Sequence, residues 1–114
     1  MSNRLKTVVA TGGYMFQAVY QGTTQNVSVS SSNARSNAVG ANTTLVRIIC
    51  DTDVWVNTVG TTNTAAVNGT NSFFLPANTP EYFGIEPSDQ IAFITTSASG
   101  TANIMEAAMS DALS

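Results

Sequence analysis

The chain has 114 residues, a length that suits one compact domain. Charged residues make up 10% of it, against about 25% in an average soluble domain, whereas 16 Thr, 12 Ser and 11 Asn residues supply most of the polarity. That composition is typical of turn-rich all-β proteins, and the net charge of -3 argues against a nucleic-acid partner because few basic groups are available to neutralise phosphates.

The residue types also narrow the possible chemistry. Histidine is absent and Cys50 is the single cysteine, so neither an internal disulfide nor a common zinc ligand set is expected. No apolar run approaches the roughly 20 residues of a membrane-spanning helix, so no membrane association is predicted. Residues 1–25 lack the long apolar region of a secretory signal, and we expect the protein to be made and kept in the cytoplasm.

Short strands separated by turn residues dominate the chain. Residues 1–25 have no clean period and are interpreted as an N-terminal arm with a possible strand near residues 6–10. Strands are then predicted at residues 26–30, 43–51, 54–59, 72–75, 81–85, 91–96 and 101–106. Residues 107–114 are interpreted as a tail or a short terminal helix. About eight short strands at regular spacing predict an all-β, single-domain β-sandwich or jelly-roll-like barrel with its core in residues 26–106.

The two most apolar predicted strands, residues 43–51 and 54–59, are separated by a short acidic turn and are predicted to pair as a hairpin. Period-two alternation places Trp55 opposite to Val54 and Val56. If the two valines face the core, Trp55 faces outward beside the odd-numbered residues of the preceding strand. Those residues are Leu45, Arg47 and Ile49. Either another part of the chain covers this surface or a partner does, and Trp and Arg often dominate interface energies.

The N-terminal arm raises the same two alternatives. Tyr14, Met15 and Phe16 form an aromatic and apolar cluster next to two glycines. These side chains either fill a gap in the core or anchor the arm onto a neighbouring subunit, because terminal segments are often ordered by their contacts.

No catalytic residue, cofactor site or metal site is predicted. Asp51 and Asp53 are close enough in sequence to share a hard cation, but the turn offers too few ligands, and we interpret them as turn formers that bind local N–H groups. Cys50 is interpreted as a buried core residue rather than a nucleophile. Asn68 and Gly69 suit a turn that needs a positive φ.

Residues 43–94 carry a resemblance to a known class of protein. The segment 75–85 reads LPANTPEYFGI, and 87–94 reads PSDQIAFI. They follow Val46-Arg47-Ile48 and Thr52-Asp53, and they precede Gly100-Thr101. This order resembles small virion proteins of tailed bacteriophages, although Ser88 and Gln90 stand where glycine and lysine are more usual.

The resemblance implies a non-enzymatic capsid decoration or cement protein. Such a protein binds the outer capsid surface of the virion, after synthesis in the host cytoplasm, and bridges neighbouring subunits of the major capsid protein. It is expected to form a homo-oligomer, either a trimer or a dimer. The outward hairpin surface and the N-terminal arm are expected to form the contacts between copies or with the coat. The alternatives are a head-to-tail connector, or a carbohydrate- or receptor-binding module of a tail or fibre. In the latter, Tyr82, Phe83 or Trp55 would stack on sugar rings.

Overall fold

The protein consists of β-strands joined by turns and loops. The structure is a computed structural model that describes the backbone of residues 7–9, 15–17 and 19–109 and the side chains of residues 20–108. No helix occurs within these residues. The strands are β1 (Thr7–Val9), β2 (Met15–Gln17), β3 (Val19–Val29), β4 (Ala34–Arg35), β5 (Leu45–Cys50), β6 (Val54–Asn57), β7 (Phe73–Leu75), β8 (Glu81–Gly84), β9 (Ala92–Ile94) and β10 (Gly100–Met109).

Eight of these strands form two four-stranded antiparallel sheets in a sandwich-like arrangement. The first sheet has the order β3-β10-β5-β8 and the second has the order β4-β9-β6-β7, while β1 and β2 pair separately. The pairings are nested along the chain, because β3 pairs with β10, β4 with β9, β5 with β8 and β6 with β7. The prediction of an all-β fold is therefore confirmed.

The core lies between the two sheets and takes alternate residues from each of them. In β5, Val46, Ile48 and Cys50 are buried, and the even-numbered residues Val54 and Val56 of β6 are buried as well. These side chains belong to one apolar cluster. The predicted burial of Cys50 is confirmed, and this burial raises the pKa of its thiol above the ordinary value because the thiolate would lose its hydration.

The predicted hairpin between residues 43–51 and 54–59 is wrong. β5 pairs with β10 and β8, and β6 pairs with β7 and β9, so the acidic turn carries the chain from one sheet to the other. Crossing between sheets places the apolar sides of β5 and β6 on opposite sides of one core. The acidic turn therefore does not set the pairing of either strand.

The two carboxylates of this turn bind neighbouring connections. Asp51 Oδ1 accepts a hydrogen bond of 2.8 Å from the backbone N–H of Thr101, and Asp53 Oδ1 accepts one of 2.8 Å from the N–H of Ala77. They do bind backbone N–H groups, but these groups belong to the β9–β10 and β7–β8 regions rather than to the turn itself. The acidic residues thus tie the turn between β5 and β6 to the start of β10 and to the β7–β8 connection at one end of the sandwich.

Two strands extend well beyond their predicted ends. β3 begins at Val19, inside the residues assigned to the arm, and β10 continues to Met109, so residues 107–109 are a strand and not a helix. The two strands pair from Val19 and Met109 to Val29 and Gly100, and this long ladder outweighs the helix propensity of Ala and Met. β4 lies between the predicted strands 26–30 and 43–51, where no strand was predicted, and β1 lies within the possible strand near residues 6–10.

The predicted tight turn around Asn68 is also present. Asn68 has a φ of 57°, which confirms the expected left-handed conformation at this residue. Gly69 is needed for a different reason, since a Cβ atom there would lie 2.8 Å from the Cβ of Ala66. The two residues therefore meet two separate steric demands of one turn.

Candidate interaction surfaces

The outer face of the second sheet carries a row of apolar side chains, which we call the apolar row. It consists of Ile94, Trp55 and Phe74, which are cross-strand neighbours on β9, β6 and β7. The ring centroids of Trp55 and Phe74 are 5.3 Å apart and their planes are inclined at 58°. Phe74 is 45% exposed, and the other two side chains are half-buried. The prediction that Trp55 points away from the core is confirmed.

The adjoining part of the same sheet is covered by the chain itself. The loop of residues 58–66 lies against Asn57, whose Nδ2 donates a hydrogen bond of 2.9 Å to the carbonyl of Thr64. Arg35 Nε donates a hydrogen bond of 2.7 Å to the carbonyl of Asn63 in the same loop. Asn57 and its cross-strand neighbour Ala92 are buried. The loop of residues 58–66 thus covers one part of the outer face, whereas the apolar row stays partly exposed to solvent.

The predicted surface that joins Trp55 to Leu45, Arg47 and Ile49 does not exist. These three residues alternate with the buried residues of β5 and are half-buried on the outer face of the first sheet. Trp55 belongs to the second sheet, so the two groups lie on opposite outer faces of the sandwich. The error follows directly from the hairpin that was predicted between β5 and β6.

The outer face of the first sheet has its own cross-strand row. Arg47 lies between Met105 of β10 and Tyr82 of β8 in the register of the sheet. Tyr82 is 50% exposed, whereas Arg47 and Met105 are half-buried. This face is mixed in character, because a cation and a phenol lie next to apolar side chains.

The remaining interface candidates are distributed differently. Phe83 lies on the inner side of β8, 4.5 Å from the ring of Phe73, and both rings pack against the core. Tyr14 lies outside the described residues. Met15 and Phe16 lie in β2, which pairs with β1, but their side chains are also outside the described part of the chain.

Two open clefts lie near the loops at the other end of the sandwich. One, of about 470 Å³, is lined by Asn57, Val59, Thr70, Asn71, Ser72 and Phe73. The second, of about 380 Å³, is lined by Thr44, Thr58, Val59, Gly84, Ile85, Glu86 and Asp89. Some of their polar side chains are bonded within the protein: Asp89 Oδ2 accepts a hydrogen bond of 2.9 Å from the N–H of Gly60, and Ser72 Oγ accepts one of 3.0 Å from the N–H of Ala66.

Within the part of the chain that the structure describes, no group of three or more Asp, Glu, Cys or His side chains is placed to hold a metal ion. No membrane-spanning helix is found among these residues.

Sequence reasoning did not single out Phe74, Ile94 or Met105. A period-two interpretation of residues 72–75 separates Phe74 from Phe73 and Leu75, so the alternation does contain the signal for an outward ring. That Ile94 lies beside Trp55 depends on the pairing of β9 with β6, which local patterns do not specify.

Comparisons with models of protein families, with curated proteins and with solved structures give no match. We therefore infer the function from the fold, the surfaces and the sequence pattern.

Proposed function

We propose that this chain is a structural protein of a phage virion, most simply a head decoration or cement protein, and that its sandwich is a jelly roll. The nested pairing supports the jelly roll. In that fold, eight strands form one long antiparallel hairpin that is wound around a core, so the first strand pairs with the last and the fourth with the fifth. β3 to β10 pair in this order. Jelly rolls are frequent in viral capsid proteins and in lectins.

The observation that carries the proposed role is the partly exposed apolar row. A flat row of Trp, Phe and Ile on a regular sheet offers a preorganised contact, and aromatic side chains contribute strongly to protein interfaces. Only four basic and seven acidic residues are present in the chain, so a partner meets little charge to desolvate. In our proposal the apolar row binds the major capsid protein on the outer surface of the head.

A cement protein acts through contacts alone. Where one copy or one oligomer contacts several coat subunits, its weak individual contacts combine into strong attachment, because after the first contact the others form within the same complex. The role requires a stable sandwich and a contact surface, and it requires no catalytic group. The resemblance of residues 43–94 to small virion proteins supports the same role.

The first test is the copy number of this chain relative to the major coat protein in purified virions, measured by quantitative mass spectrometry. A ratio within a factor of about three of the coat is expected, because only the repeating lattice offers so many equivalent sites. A ratio tens of times lower would favour a connector or fibre component and contradict decoration. Absence from the particle would reject any virion role.

The second test asks whether the apolar row makes the contact. Heads that lack this protein are incubated with the wild-type protein, with Phe74→Lys or with the matched control Tyr82→Lys. Both residues are about half exposed but lie on opposite outer faces. We expect Phe74→Lys to abolish binding and Tyr82→Lys to retain it. The reverse pattern would move the contact to the first sheet.

A carbohydrate-binding module is the second candidate, because the Trp55–Phe74 pair presents an aromatic surface and jelly rolls also occur in lectins. Sugar recognition also requires polar groups beside the ring. The amide of Asn57, next along β6, is buried and bonded to Thr64 and Val59, which weakens this candidate. A change in Trp55 fluorescence on addition of host surface polysaccharide would favour it.

A further inference from the structure

The four edge strands of the sandwich differ in how well they are protected against pairing with another chain. β4 has two residues, and β7 has three and is followed by Pro76. β8 has four residues and begins with Glu81 directly after Pro80. Short length, proline and charge are the usual devices that prevent a sheet edge from pairing. Three edges therefore carry such a device.

β3 is the exception. It has 11 residues, from Val19 to Val29, and contains neither proline nor a charged residue. Among the described residues it pairs with β10 alone, so its other side is an edge of the first sheet. A long, uncharged edge strand is a template for another β-strand.

The hydrogen bonds of Thr101 show which backbone groups of β3 point outward. The N–H of Thr101 donates to Asp51 Oδ1 at 2.8 Å, and its carbonyl accepts from the N–H of Asp51 at 3.3 Å. Both groups therefore point away from β3. Ser28, the partner of Thr101 in the ladder, must then direct its own N–H and carbonyl away from β10. Because the direction of these backbone groups reverses at every residue of a strand, the N–H and carbonyl groups of Asn26 and Thr24 also point away from β10.

We propose that β3 pairs antiparallel with β3 of a second copy of this chain, with the two-fold axis at Asn26. In this register Asn26 faces Asn26 of the other copy, and Thr24 faces Ser28. All outward groups of these three residues are then used, in about six backbone hydrogen bonds. The two first sheets join into one continuous sheet. This pairing is independent of any role in a virion.

The side chains at this edge are compatible with such pairing. Thr24, Asn26 and Ser28 are exposed on the outer face of the sheet, and Thr–Ser pairs across strands are favourable. The Asn26 side chain is held along the sheet because its Oδ1 accepts a hydrogen bond of 3.0 Å from Asn103 Nδ2. No charge on β3 opposes its own copy. Pairing consumes both edges, so assembly through this strand stops at a dimer.

The test is sedimentation equilibrium of the full chain and of edge variants, with circular dichroism to verify folding. We expect the wild type to be a dimer. Ser28→Pro keeps the ladder to β10, because the N–H that it removes points outward, but it blocks the new pairing. Asn26→Lys places two like charges at the axis. Each variant is expected to raise the dissociation constant at least about tenfold, whereas the control Ser97→Lys, on an exposed turn, leaves it unchanged.

A double variant tests the register. Thr24→Lys combined with Ser28→Asp places opposite charges across the interface twice in the proposed register, so this protein is expected to dimerise at least as well as the wild type. A monomeric wild type at about 100 µM would overturn the proposal, since an edge of this length is expected to associate well below that concentration. A dimer that persists in both folded edge variants would also overturn it, because the contact would then lie elsewhere. These outcomes leave the copy-number test unaffected.

Discussion

Replacing Trp55 by Ala tests how deeply the apolar row is packed. Removing a fully buried Trp costs about 3–5 kcal/mol of unfolding free energy. Trp55 is half-buried on an outer face, so we expect about half of that, or about 2 kcal/mol. For a chain of this length, such a loss lowers the melting temperature by about 8 °C. The measurement is urea unfolding followed by circular dichroism, since the variant lacks the only Trp of the chain.

A double-mutant cycle then isolates the contact between Trp55 and Phe74. Rings 5.3 Å apart with a 58° inclination are in the tilted geometry that adds about 1 kcal/mol beyond area burial. The Trp55→Ala and Phe74→Ala effects should therefore be non-additive by about that amount. Tyr82→Ala, on the opposite outer face, is the matched control and should combine additively with Trp55→Ala.

Two results would refute this reasoning. A coupling energy no larger than that of the Tyr82 control would mean that the two rings do not pack on each other in solution. A loss above about 4 kcal/mol for Trp55→Ala alone would mean that the side chain is fully covered in the monomer. The apolar row would then be unavailable to a partner.

Three further predictions concern the core and the loop of residues 58–66. Burial raises the pKa of the Cys50 thiol, so the contribution of this thiol to the free energy of unfolding is complete below the ordinary thiol pKa and falls as pH rises through the folded-state pKa. In chemical unfolding, the wild type should therefore lose more stability above about pH 9 than Cys50→Ala does. Asn63→Ala removes Nδ2 hydrogen bonds to the carbonyls of three residues and should lower the free energy of unfolding in urea by about 1–3 kcal/mol. The control Asn71→Ala, at an exposed position, should lower it by less than about 0.5 kcal/mol. Thr62 has a φ of 52°, a left-handed conformation that strains a β-branched residue. Thr62→Asn should therefore raise the melting temperature, and the control Thr61→Asn should not. A lower melting temperature for Thr62→Asn would contradict the strain at this residue.

Local patterns in the sequence were sufficient to identify the interior of individual strands. Alternation in β5 predicted that Leu45, Arg47 and Ile49 share an outward face, and alternation in β6 predicted that Trp55 points away from the side of its neighbouring valines. These predictions succeed because side-chain direction in a strand depends on its own backbone and reverses at every residue. The abundance of Thr, Ser and Asn likewise indicated an all-β fold, because these residues favour strands and turns over helices.

The choice of strand partners required the tertiary structure. Trp55 and Arg47 are eight positions apart and were predicted to share a face, yet they lie in different sheets because β5 and β6 each find partners far along the chain. The end of β10 was missed for the same reason, since Ala107 is held in a strand by Leu45 and Gln21. Sequence alone thus determined which side chains of β5 and β6 share a face. The pairing of the strands, and with it the composition of each surface, depended on how the two sheets bury their apolar sides together, which is a property of the whole chain.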